Sequence, residues 1–219
     1  MSNPFSFSRT LAVIKYFDDS TLDFVNELIE QNNLSSELLI DSFEPFELRI
    51  IKDVINYEKN IQSFLLTQSI SKEKLVELRA QKIAKISTLL QKNMIHLLDN
   101  YFQINRTVQI LESDYNWSNF SPSSMQLENF NEDHTFITLI KKSIVGGVAI
   151  NEIPLVGFDL LLHDLENHGC KILGWDILEA ITSSNENFDR KKMKTLTEKI
   201  CDKLLEHLIV YDALNISYK

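Results

Sequence analysis

The densest group of chemically able side chains in this 219-residue chain is Asp159, His163, Asp164, Glu166, His168 and Cys170. Asp159 and His163 are four residues apart, so on a helix they would share one face. A carboxylate can orient an imidazole as a general base, and the pair can also supply part of a divalent-metal site. Nothing else in the sequence completes a coordination set, so the plainer expectation is an exposed ion pair with helix-end polar residues beside it. No metal and no cofactor is expected. His96 and His207 stand singly in apolar-periodic stretches and are expected as core or flanking residues. Cys170 and Cys201 are too far apart for a CxxC redox or zinc pair and too few for a disulfide framework.

Several standard chemistries are missing by motif. The chain has no GxxxxGK[ST] loop, no GxGxxG, no HExxH and no GxSxG. It has no Glu-x-x-His pair for a di-iron bundle and no EF-hand loop. The formal net charge of -9 disfavours nucleic acid and anionic lipid as partners. Two basic clusters exist, Lys72 to Lys92 and Arg190 to Lys194, and both are expected as solvated helix faces. The contrast with the acidic stretch from Glu128 to Glu186 would favour contact between the two, or guide a docking partner.

These residues need elements to hold them, and the glycines point to helices. All five, Gly146, Gly147, Gly157, Gly169 and Gly174, lie in one segment, and Met1 to Val145 has none. A stretch that long without glycine argues against hairpin turns. The expected class is therefore all-α: an elongated antiparallel helical hairpin followed by a smaller helical bundle, with minor β elements near 144–150 or 170–173.

Helices are expected at 8–17, at 20–32 ending on Asn32, and from Pro45 to Gln68, with Ser71 capping the next. From there a seven-residue period runs through Val76, Ile83, Leu90, Leu97, Ile104 and Leu111. Complementary steps fall on Ala80, Ser87, Met94, Tyr101 and Val108, which together make an a/d-type seam on one long helix. Asn100 and Asn105 mark where it could break. Helices are also expected at 132–145, 154–167, 175–181 and 187–211.

The expected organisation is a helical region over 1–115, a polar linker over 116–131 and a glycine-bearing helical region over 132–219. Met1 to Phe17 lacks the feature order of a signal peptide, which suggests a cytoplasmic location. The leading functional expectation is a non-enzymatic helical interaction protein, such as an adaptor, assembly subunit or inhibitor-type partner. It would act on a protein partner or by self-association, through the seam of Val76, Ile83, Leu90, Met94, Leu97, Tyr101, Ile104, Val108 and Leu111. The alternatives are an enzyme using Asp159 and His163, and a membrane-active protein inserting 136–165. Lys141, Lys142, Glu152 and Asp159 make insertion costly, so a membrane role is the weaker alternative.

Overall fold

A computed structural model of the chain describes residues 7–67, 70–91, 93–124, 135–142, 150–155, 171–183 and 190–217. In chain order its elements are α1 (Ser8–Phe17), α2 (Leu22–Glu30), α3 (Pro45–Thr67), α4 (Lys72–Leu90), β1 (Tyr101–Ile104), β2 (Val108–Ser113), β3 (Phe136–Lys142), β4 (Ile150–Leu155), β5 (Ile172–Leu173), α5 (Gly174–Ser183), α6 (Arg190–Leu205) and β6 (Leu214–Ser217). Short 3-10 turns intervene, and a π-helical turn (Glu206–Val210) follows α6. The chain folds as two units, each built from separate stretches of sequence: 1–68, 109–142 and 148–156 in one; 69–108, 143–147 and 157–219 in the other.

The first unit forms around α3. Ile50, Ile51, Val54 and Ile55 bury one face of that helix against Val13, Ile14, Val25 and Leu39. The adjoining face is polar, and each polar group pins another element. The Glu58 carboxylate is buried and accepts the backbone amides of Arg9 and Thr10, each at 3.0 Å, and the Thr10 hydroxyl at 2.7 Å. The residue before α1, Phe7, offers no capping side chain, so Glu58 satisfies the orphan first-turn amides from a different helix. The Tyr57 hydroxyl donates to Glu152 on β4 at 2.7 Å, and Arg9 contacts both oxygens of the same carboxylate at 2.8 and 2.9 Å. One turn earlier, Asp53 accepts the indole N–H of buried Trp117 at 2.6 Å and the amide of Asp114 at 3.1 Å. The sheet of this unit has the order β2-β3-β4, with β3 and β4 antiparallel from Ile137 opposite Leu155 to Lys142 opposite Ile150.

The second unit carries a sheet of order β5-β1-β6, antiparallel throughout, with Phe102 opposite both Ile172 and Ile216. Its core holds Leu97, Leu98, Phe102, Ile177, Ile200, Leu204, Leu208 and Leu214. Gly174 opens α5 where no side chain fits: a Cβ there would lie 2.6 Å from the Leu98 Cα and 2.9 Å from its carbonyl oxygen. The close approach lets the amides of Gly174 and Trp175 donate to Asn100 and Leu98 at 3.0 and 3.2 Å.

Helices dominate, yet two three-stranded antiparallel sheets replace the all-α architecture that the glycine distribution suggests. Two expectations change with it. The long seam helix stops at Leu90, and its continuation becomes a 3-10 turn at Met94–Leu97 followed by β1 and β2. The helix thus ends ten residues before Asn100, where a break is expected; Asn100 and Asn105 are buried beyond it, and their amide groups donate to the His96 and Asp212 carbonyls. The helix expected at 132–145 is strand β3 where described, and Pro154 lies within β4 rather than at a helix start. The residues read as a linker over 116–131 include Trp117, which is buried in the first unit's core. The β1-to-β2 turn is made with Asn105, Arg106 and Thr107 and needs no glycine.

Burial raises the Glu58 carboxyl above its ordinary range, against the hydrogen bonds from Thr10 and Arg9 that pull it down. A carboxyl with a raised folded-state pKa holds its proton more tightly when folded. Its ionisation therefore subtracts stability as pH rises from the ordinary value near 4.5 through the folded value. Denaturant unfolding across that window should show the wild type losing stability relative to Glu58→Gln as pH rises; a constant difference would refute the assignment. Gly174→Ala should cost about 1–3 kcal/mol by overpacking, since the neighbour that must yield is backbone. A melting temperature equal to wild type would show that α5 can shift freely.

Candidate functional site

Helix α4 presents two different faces. Leu75 and Ile86 are buried, and between them Arg79, Lys82 and Lys85 follow a three-residue step along the same side. That side serves β6, whose outward carbonyls have no neighbouring strand among the described residues. Lys82 donates to the Leu214 carbonyl at 2.8 Å and Lys85 to the Ile216 carbonyl at 3.0 Å. Arg79 donates to the Ile209 carbonyl at 2.9 Å. Lys82 also forms an ion pair with Asp212. Asp212 takes a left-handed conformation, φ 55°, which sends its own carbonyl to Asn105 at 3.0 Å. Burial pulls the Lys82 ammonium below the usual lysine range, with Asp212 opposing it. These cations, expected as a solvated face, instead close an open sheet edge.

A second face of α4 meets solvent. Val76, Ala80, Ile83, Ser87 and Leu90 are all exposed, and the three large apolar side chains among them are 36 to 48% exposed. They are the helical part of the a/d seam. The heptad spacing thus describes an outward stripe about 21 Å long at 1.5 Å per residue, whereas the residues that pack α4 inward sit beside it.

The remaining seam residues do not join this stripe. Met94 and Leu97 lie in the 3-10 turn, Tyr101 and Ile104 on β1, and Val108 and Leu111 on β2; Leu97, Val108 and Leu111 are buried. Asp159, His163, Asp164 and His168 lie outside the described residues, as do Glu166 and Cys170. Among the described residues, no three His, Cys, Asp or Glu side chains are grouped to hold a metal ion. No helix among them is long and apolar enough to cross a membrane.

Two other features carry polar chemistry. His96 Nδ1 lies 3.0 Å from Asp99, and the other Asp99 oxygen accepts the Trp175 indole N–H at 2.8 Å. His96 and Asp99 are both about half exposed, and the carboxylate orients the imidazole. Cys201 is buried, and burial raises its thiol to about 11, so the reactive thiolate is scarce at neutral pH. His207 is fully buried and stacks on Tyr211 at 5.1 Å between centroids. Compared with protein-family models, curated proteins and solved structures, the chain matches none.

The two faces of α4 should respond oppositely to charge. Ile83→Glu should move the melting temperature by no more than a surface change does, within about 0.5 kcal/mol. Ile86→Glu places a carboxylate at a site 1% exposed and should cost more than about 3 kcal/mol. Equal destabilisation by both, read by circular dichroism melts, would mean that the stripe is internal core.

Proposed function

We propose that this protein acts by binding another protein, with α4 as a docking helix that receives one amphipathic helix of its partner. The observation that supports this reading is the outward apolar stripe of Val76, Ala80, Ile83, Ser87 and Leu90 on a helix whose other side is already engaged. An a/d stripe has the spacing that a second helix fits, with knobs entering holes between turns. Lys72, Glu73, Lys74 and Glu77 flank its N-terminal end, and Glu77 is paired with Lys74 at 2.8 Å, so that end of the stripe carries both signs of charge.

The size of the stripe bears on the choice of occupant. Five side chains of this size, two of them small, offer well under the roughly 800 Å² per partner of a standard stable interface. Pairing of two copies through this stripe alone is disfavoured, and a single helix of a larger partner is the better fit. Among the described residues, which do not include Asp159 and His163, no arrangement of side chains favours an enzymatic reading over this one.

A photo-crosslinking residue placed at Ile83 tests the assignment, with the same residue at Gln81, which is exposed but off the stripe, as control. In extracts of the source cells, position 83 should capture a partner through a peptide of amphipathic helical pattern, and position 81 should not. Ile83→Glu or Leu90→Glu should abolish that capture with helicity intact. Equal labelling from both positions, or capture of a second copy accompanied by a mass of twice 25.4 kDa on light scattering, would overturn it.

A further inference from the structure

The charge of this chain is concentrated in one place. Between Tyr16 and Leu48 there are nine acidic residues, Asp18 through Glu47, and no lysine or arginine. Removing nine from the 31 acids of the whole chain leaves 22, equal to its 22 lysines and arginines. This single stretch therefore accounts for the entire formal charge of -9.

The fold turns that stretch outward as a surface. Its elements are consecutive and closely joined: the end of α1, then α2, the 3-10 turn Ser36–Ser42, and the start of α3. Val25 and Leu28 from α2 and Leu39 from the turn are buried, while seven of the nine acids are exposed and Asp18 and Glu47 are half-buried. None of the nine forms an ion pair with a described lysine or arginine. Asp18 is held below its usual range by the Thr21 and Ser20 hydroxyls and the Ser20 amide, and so is firmly ionised. Set among these charges are five large apolar side chains that the core does not take up. Tyr16, Phe24, Leu38, Ile40 and Phe46 are 38 to 55% exposed.

Exposed apolar side chains within a field of one sign specify the chemistry of what covers them. Nucleic acid and anionic lipid are repelled, and a second copy would bring the same charge to the contact. We infer that this face docks a basic segment of a protein whose lysines or arginines are interleaved with apolar anchors. The acids would steer and orient the segment, and the five apolar side chains would supply the desolvated contacts that hold it. This surface lies in the first unit, so the inference does not depend on the α4 stripe of the second.

The test uses the full-length protein and a fluorescent lysine/leucine amphipathic peptide as probe, read by anisotropy. Three companion probes are a lysine/serine peptide of equal charge, a glutamate/leucine peptide, and vesicles of mixed phosphatidylserine and phosphatidylcholine. The lysine/leucine peptide should bind, and the lysine/serine peptide should bind at least about tenfold more weakly, because it lacks anchors. Phe24→Ser with Ile40→Ser should weaken the first peptide by about tenfold and leave the second unchanged. Asp23→Asn with Glu27→Gln and Glu30→Gln should weaken both, and raised salt should shrink that difference.

Asp176→Asn with Glu179→Gln and Asp202→Asn, all exposed and away from both surfaces, removes the same charge elsewhere and should leave binding nearly unchanged. Circular dichroism melts confirm that each variant folds. The inference is overturned if the two triple neutralisations act equally, if the serine variants bind the lysine/leucine peptide like wild type, or if that peptide fails to bind. Preferential binding of the acidic peptide or the vesicles, or dimerisation lost in the serine variants, would overturn it as well.

Discussion

A buried or edge backbone group must find a hydrogen-bond partner, and in this protein long-range side chains provide it where local structure does not. Glu58, on α3, receives the first amides of α1 across 48 and 49 residues of sequence. Lys82 and Lys85, on α4, reach the outward carbonyls of β6 across 132 and 131 residues. An unsatisfied buried polar group costs about 1–3 kcal/mol, a large share of the 5–15 kcal/mol by which a domain is usually stable. Short helices and three-stranded sheets have many such ends and edges for their size. The ordering of α1 and β6 therefore depends on whether α3 and α4 are already formed.

That dependence shapes what each helix can offer outside. Helix α3 is engaged on two sides, with an apolar face against α1 and α2 and a polar face against Trp117 and β4, and Lys52, Asn56, Lys59, Ser63 and Leu66 follow one another along a third, exposed side. On α4, the cations and two buried apolar residues face inward, and the heptad stripe beside them is left uncovered. The N-terminal elements bury just enough apolar residues to stay in place, and turn their acids and five large apolar groups outward. Both proposed contact surfaces are thus what remains after the core and the orphaned backbone groups have been served.

The sequence was informative where local rules decide. Pro45 at the start of α3, Ser71 accepting the Lys74 amide at the start of α4, and Asn32 at φ 53° after α2 each follow from the chemistry of one residue. The seven-residue period misled for a physical reason. A strand repeats every two residues, so the four-three spacing has no meaning beyond the helix, and Leu97, Val108 and Leu111 fell on it by coincidence while being buried by their own local packing. The absence of glycine misled as to class because β1 pairs with β5 and β6, and β2 with β3, strands distant in the sequence, so these strands need no tight hairpin turn before Gly146.

The sequence by itself determined the starts of α3 and α4, the stop of α2, the acidity and the lack of familiar catalytic motifs, because these depend on residues close together in the chain. Only the tertiary structure decided which of two adjacent faces of α4 is buried, that Lys82 and Lys85 guard a sheet edge, and that Glu58 caps a helix to which it is not joined. Those outcomes depend on pairings across 48 to 132 residues. Nothing in the local sequence distinguishes a lysine that will meet a carbonyl from one that will meet water.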